Sequence, residues 1–321
     1  MSKCIAFHSY KGGTGKTTIA SNFAALLAKK GYNVFLLDLD VYAPSMQSYF
    51  KKEPKKWMND YLYSNAELDD ILLDLTPTIS EKNYDGAKNK NHANGRLWVA
   101  FSNSKKEEIY KLEGGTSGGG GAGKQDTSKI QLLRRFILLR EHLISQYDAD
   151  YIIIDTSPGI RYWSINALAV ADTLFLTLKM GDLDIEGTRK MADEIYGSFT
   201  KFGAKSYLLL NRVAGYCVPN IRDETPMVSP ATVSNDDSTL HLRNNGPSGL
   251  MQLQQEQTKK DVKNMLSDEV GMNIISAIPC YCDIQFTRKE FLTVLRYPDH
   301  PFAKQVEQLI ESMQGVLQTK V

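Results

Sequence analysis

Cysteine is scarce in this chain: four thiols among 321 residues are too few for a disulfide framework and suit a reducing compartment. A cytoplasmic location is therefore the expectation. Charge of one sign is also missing. Lysine plus arginine total 38 against 37 aspartates and glutamates, a net charge of +1, so nucleoid DNA and a membrane surface find no support in the overall balance. No apolar run approaches the ~20 residues that would span a bilayer. The chain enters its first apolar stretch, Ile5-Ala6-Phe7, with no export signal before it, and no internal repeat is evident.

What is present is an alternation of short apolar runs and amphipathic stretches. Seven strand-like runs alternate with helical patterns, which predicts an α/β fold: a doubly wound, mostly parallel sheet with helices on both faces, in one domain over residues 1–321. Ile19, Phe23, Leu26 and Leu27 repeat at helical spacing, with Gly31 as the stop. Leu132, Leu133, Phe136, Leu139, Leu143 and Ile144 make a second such face, and Phe302, Val306, Leu309, Ile310, Met313 and Leu317 a third. The polar side of the third is glutamate and glutamine rather than lysine, so it reads as a packing helix and not as a membrane-surface helix.

Between the first strand and the first helix stands Lys11-Gly-Gly-Thr-Gly-Lys16-Thr17-Thr18. Gly12, Gly13 and Gly15 let the backbone curl around Thr14 and present its N–H groups to phosphate oxygens; Lys16 reaches the outer phosphates, and the Thr17 hydroxyl suits Mg²⁺. Tyr10 occupies the place where the generic phosphate loop has its first glycine. Two further apolar runs end in acids. Val34-Phe35-Leu36-Leu37 leads into Asp38-Leu39-Asp40, and Tyr151-Ile152-Ile153-Ile154 into Asp155-Thr156-Ser157-Pro158-Gly159, at the strand ends where open α/β sheets bind ligands.

The two-lysine loop resembles the deviant Walker A loop of the MinD/ParA group of ATPases. That resemblance implies ATP with Mg²⁺ as cofactors, an ATP-dependent homodimer, and a Lys11 that reaches the nucleotide of the facing subunit. It also implies that Asp40 orients the attacking water, that Asp38 lies near Mg²⁺, that Asp155 holds the metal through water, and that Asn211, followed by Arg212, contacts adenine. Asn211 has the donors and acceptors for an adenine edge and equally those of a turn residue. Asp38 is readable as a solvated strand-end acid too. Val41-Tyr42-Ala43-Pro44-Ser45 looks closer to the Mrp-type cluster carriers of the same superfamily.

Three regions exceed a compact member of that group: residues 82–95, 113–127 and 216–257, polar, glycine-rich or turn-rich, and read as flexible insertions. Arg96 to Phe101 forms a strand candidate between the first two. The third, placed just after the adenine strand, suggests a partner-binding or lid role.

The function expected is a slowly hydrolysing ATPase that dimerises on ATP and acts as a switch for positioning or partitioning a cargo, with an activating or client protein as partner. A rival is a metallocentre or iron-sulfur maturation ATPase that uses Cys280 and Cys282, as the CooC-like relatives use a cysteine pair; their place in a turn near the base favours small packing side chains instead. A further alternative is an ATP-gated interaction module with little hydrolysis. Should DNA be bound, Lys259, Lys260 and Lys263, or Arg288, Lys289 and Arg296, are the basic clusters available.

Overall fold

The computed structural model describes residues 2–80, 95–103, 105, 107, 122–213, 264–285 and 290–318. Eight strands appear among them: β1 (Lys3–His8), β2 (Asn33–Leu39), β3 (Leu73–Asp74), β4 (Arg96–Ala100), β5 (Tyr151–Thr156), β6 (Thr173–Leu178), β7 (Lys205–Val213) and β8 (Ile274–Pro279). They lie side by side in the order β3-β4-β2-β5-β1-β6-β7-β8. Every pairing is parallel except the two-residue β3, which runs antiparallel on the edge of β4. The apolar runs read from the sequence supply the seven longer strands. At two residues, β3 (Leu73 and Asp74, within Ile71-Leu72-Leu73-Asp74-Leu75) is too short to show a strand period.

Five helices of more than one turn matter to the site: α1 (Lys16–Lys29), α2 (Ala122–Ser145), α3 (Tyr162–Leu168), α4 (Asp182–Met191) and α5 (Pro301–Gln318). Because successive strand residues point to opposite faces, the sheet divides the core in two. Ile5 and Phe7 face one layer, where they meet Ile19, Phe23 and Leu27 of α1 and Phe302, Val306, Leu309, Ile310 and Met313 of α5. Cys4 and Ala6 face the other, with Phe136, Leu139 and Leu143 of α2, Trp163 of α3 and Met191 of α4. Full burial of each large side chain contributes about 1.5–3 kcal/mol.

The apolar stripe of α5 is thus spent on the core, and its Glu307 pairs with Lys30 at 2.7 Å. Leu26 is only half-buried, at the edge of its helix's inner face. Helix α2 starts at Ala122, inside the stretch 113–127. Residues 82–94 and all of 216–257 lie outside the described residues, as do Lys259, Lys260, Lys263, Arg288 and Lys289. Among the described residues no helix is long and apolar enough to cross a membrane.

Helix α4 runs directly into a π-helical turn, Ala192–Tyr196. That turn, a local irregularity of a kind often found near functional sites, carries Tyr196 beneath the end of β1. There the Tyr196 ring stacks on His8, centroids 6.3 Å apart and planes 19° from parallel.

Candidate functional site

The loop after β1 returns through Gly15, whose φ of +88° makes it the left-handed N-cap of α1. A Cβ there would stand 2.3 Å from Asn211 Nδ2, so both conformation and space demand glycine. No side chain caps α1 and its first turn holds no acid, which leaves the first N–H groups and the positive end of the dipole for an anion. Lys16 is only 5% exposed; its Nζ donates to Ser9 Oγ at 2.8 Å, and Ser9 Oγ donates to Lys11 O at 2.6 Å. Burial lowers the Lys16 pKa, while Asp155 and Asp40 oppose that shift.

The acids meet because β2 and β5 are parallel neighbours in a register that pairs Asp38 with Asp155. Asp38 Oδ1 accepts from the Asp40 amide at 3.0 Å, whereas its Oδ2 has no hydrogen bond. Asp40 Oδ1 accepts from Ser157 Oγ at 2.9 Å and from the Ala43 amide at 3.2 Å, so one carboxylate touches both strand-end turns. Asp155 is fully buried with neither oxygen hydrogen-bonded. Burial pushes its pKa up to about 7, against the pull of Lys16 and the nearby Thr17 hydroxyl, and Asp40 adds to the rise. Asp38 is raised well above the ordinary carboxylate value, by burial first and by Asp155 next.

Buried, unpartnered carboxylates are costly unless a cation compensates them, and hard oxygen donors are what Mg²⁺ takes. The residues present fit that ion. Among the described residues no three His, Cys, Asp or Glu side chains converge closely enough to hold a metal directly. Asp38 and Asp155 could hold such an ion through water, and the Thr17 hydroxyl could donate to it directly.

Behind Gly15 opens a cavity of about 270 Å³. Thr18 and Ile19 lie at its loop end, Pro279, Tyr281, Ile284 and Phe302 line it, and Asn211, Arg212 and Glu290 add polar groups. Asn211 also braces the loop: its Nδ2 donates to Thr14 O at 2.6 Å. Tyr281, Glu290 and Phe302 come from a distant part of the chain; Phe302 was legible only as a helix-packing residue, and no local pattern marked Glu290. Cys280, half-buried, sits in the turn between Pro279 and Tyr281, and Cys282 begins the short helix Cys282–Gln285. Thr18 Oγ1 meets Tyr49 OH at 2.7 Å, which ties α1 to the helix Gln47–Phe50 after Asp40.

The head of the loop leans on the two segments that follow β5 and β6. The Gly159 amide donates to Ser9 O at 2.8 Å, and the Arg161 guanidinium lies 4.8 Å over the ring of Tyr42, joining the turn after Asp155 to the turn after Asp40. Lys11 Nζ stands 3.1 Å from Asp184 Oδ1 in α4, an ion pair without hydrogen-bond alignment. Tyr10 packs its ring directly on Gly187 in the same helix. Ile160, Tyr162, Met180 and Leu183, from these same two segments, are exposed apolar side chains.

His8, the last residue of β1, is buried beneath this assembly. Thr156 Oγ1 donates to Phe7 O at 2.9 Å and so accepts from His8 Nδ1 at 2.6 Å, while Nε2 has no partner. Burial first, then Lys16, push its pKa down from 6.5 to about 3. A folded-state pKa below the unfolded one means that the unfolded chain takes the proton first, so stability is lost as pH falls below 6.5 toward 3. Between pH 7.5 and 5 the wild type should lose about 2 kcal/mol more than His8→Gln. Urea titrations at the two pH values measure this, and equal losses in both proteins would refute a buried neutral histidine.

Residues 5–226 match the family model of the CobQ/CobB/MinD/ParA nucleotide binding domain. A putative replication protein A of Sinorhizobium fredii is 26% identical over 181 residues, 56% of this chain and 40% of that protein. The sporulation initiation inhibitor protein Soj of Bacillus subtilis is 25% identical over 204 residues, 61% of this chain and 65% of its own length. Each match thus spans less than two thirds of the relative. Among solved structures, the septum site-determining protein MinD of Pyrococcus horikoshii, complexed with Mg-ADP, superposes with a TM-score of 0.61 at 17% identity, covering 100% of this chain and 99% of that one. At that identity the likeness is one of fold.

Proposed function

Since the chain belongs to the CobQ/CobB/MinD/ParA nucleotide-binding family, we propose that it binds and slowly hydrolyses ATP and dimerises on ATP. Its hydrolysis acts as a timer for positioning or partitioning a cargo. One observation carries this reading: Lys16 is buried against the acids at the foot of the loop, while Lys11, 44% exposed at its head, is held away from them by Asp184. One lysine serves its own site and the other is free to serve a second copy.

In this reading the amides of Gly12, Gly13, Thr14 and Gly15, with Lys16 and Thr18, hold the phosphates, and Asn211 and Arg212 border the base. Thr17 would hold Mg²⁺, with Asp155 and Asp38 behind it, and the bound ion would supply neutralisation of phosphate charge. Asp40, fixed by Ser157 and the Ala43 amide, positions the attacking water. Lys11 of the facing copy meets the charge that develops on the terminal phosphate. The exposed Ile160, Tyr162, Met180 and Leu183 beside it supply apolar area for the contact between copies, and an activating or client protein would read the dimer.

The test is the solution mass of Asp40→Ala in Mg-ATP and in Mg-ADP. A doubled mass in ATP alone is expected, because the variant binds nucleotide without turning it over. An unchanged mass in both nucleotides would overturn the dimer switch.

A further inference from the structure

We propose that Lys179 is a further phosphate-contacting residue, a cation that the chain supplies to the terminal phosphate of its own nucleotide at the head of the loop. This rests on the nucleotide reading above.

The placement follows from strand register. Parallel β1 and β6 pair His8 with Leu176; three residues farther along each strand's direction stand Lys11 and Lys179. Lys179 Nζ lies 3.6 Å from where a Cβ on Gly13 would be, so the ammonium sits against the backbone of a loop residue whose φ is +71°. The two ends of the loop face different parts of a nucleotide. Gly15 lines the base cavity and Gly13 does not, so the Gly13 end is the one farther from the base, where the terminal phosphate belongs.

The surrounding charge supports the assignment. Asp184 attracts both Lys11, at 3.1 Å, and Lys179, while Arg212 from the neighbouring cavity wall repels Lys179. Burial and then Arg212 lower the Lys179 pKa, and Asp184 only partly offsets them. The complement of such a surplus of positive charge is a polyanion seated on the loop. A lysine that merely balanced Asp184 would have no reason to sit on Gly13. Nothing in the motif signalled this residue, because Lys179 follows a buried strand 163 positions after Lys16 in the chain.

Equilibrium binding of Mg-ATP and Mg-ADP to the full chain tests it, with Lys179→Gln and Lys179→Arg beside the wild type. Lys179→Gln should weaken ATP binding roughly 10- to 150-fold, the range for one charged hydrogen bond, and ADP binding less than about threefold. Lys179→Arg should restore most of the ATP affinity. Equal losses for ATP and ADP, or no loss, would overturn the assignment, since a merely structural lysine does not distinguish the two. A wild type that binds neither nucleotide would overturn the nucleotide reading and this assignment with it. Lys179 is only half-buried and outside both core layers, so the melting temperatures of the three proteins should agree.

Discussion

Lys11→Ala should keep ATP within a few-fold of wild-type affinity, yet lose the ATP-dependent dimer and slow turnover by about 10³-fold or more, the scale of a cation supplied across an interface. The reason lies in where each lysine sits. Lys16 is buried and hydrogen-bonded inside the loop, so binding does not need a second cation from within. Lys11 points away from that site to Asp184, with its side chain 44% exposed and that of Asp184 23% exposed. An exposed pair of this kind is worth about 1 kcal/mol or less. It can hold Lys11 in the monomer and release it when a second copy presents phosphate.

Two measurements on the same samples separate the possibilities: nucleotide affinity by equilibrium titration and hydrolysis under saturating ATP. Turnover at the wild-type rate in Lys11→Ala would remove the lysine from the reaction. Asp184→Asn is the control for a purely structural ion pair. If it reproduced the loss of turnover, Lys11 would matter through its own chain rather than through a partner.

Gly187→Ala should weaken nucleotide binding about tenfold or more, and Tyr10→Gly in the same chain should restore much of it. Alanine is the better helix former, by about 1 kcal/mol, so on propensity alone the change in the interior of α4 would stabilise the protein. Space decides otherwise. A Cβ at Gly187 would stand 2.0, 2.2 and 2.6 Å from three ring carbons of Tyr10, far inside van der Waals contact. The ring must leave, and its backbone neighbours are Ser9, which accepts from Lys16, and Lys11, whose carbonyl Ser9 holds.

Displacing Tyr10 therefore displaces the loop head. Replacing Tyr10 by glycine, the residue of the generic phosphate loop, removes the collision while leaving α4 with its alanine. Wild-type affinity in Gly187→Ala would show that the ring swings out without moving the loop. A double variant no better than the single would show that the glycine serves another purpose.

From sequence, then, the loop from Lys11 to Thr18, the acids Asp38, Asp40 and Asp155, the apolar faces of α1 and α5 and the α/β class were all legible. Each is written in adjacent residues or in a repeat of two or 3.6, which reports local backbone and buried face. Which strand lies beside which is not written there. The β2–β5 register that sets Asp38 against Asp155 is decided by pairing between segments more than a hundred residues apart.

The same holds for Asn211, whose amide the fold engages with Thr14 O, and for Glu290 and the cavity-lining role of Phe302. It holds most for Lys179, Asp184 and Gly187, which carry no motif and come together at the loop only when β6 is laid beside β1. Local patterning specified the loop and the acids of the candidate site. Only the packed sheet, whose long-range contacts have no local signature, decided which charges surround them.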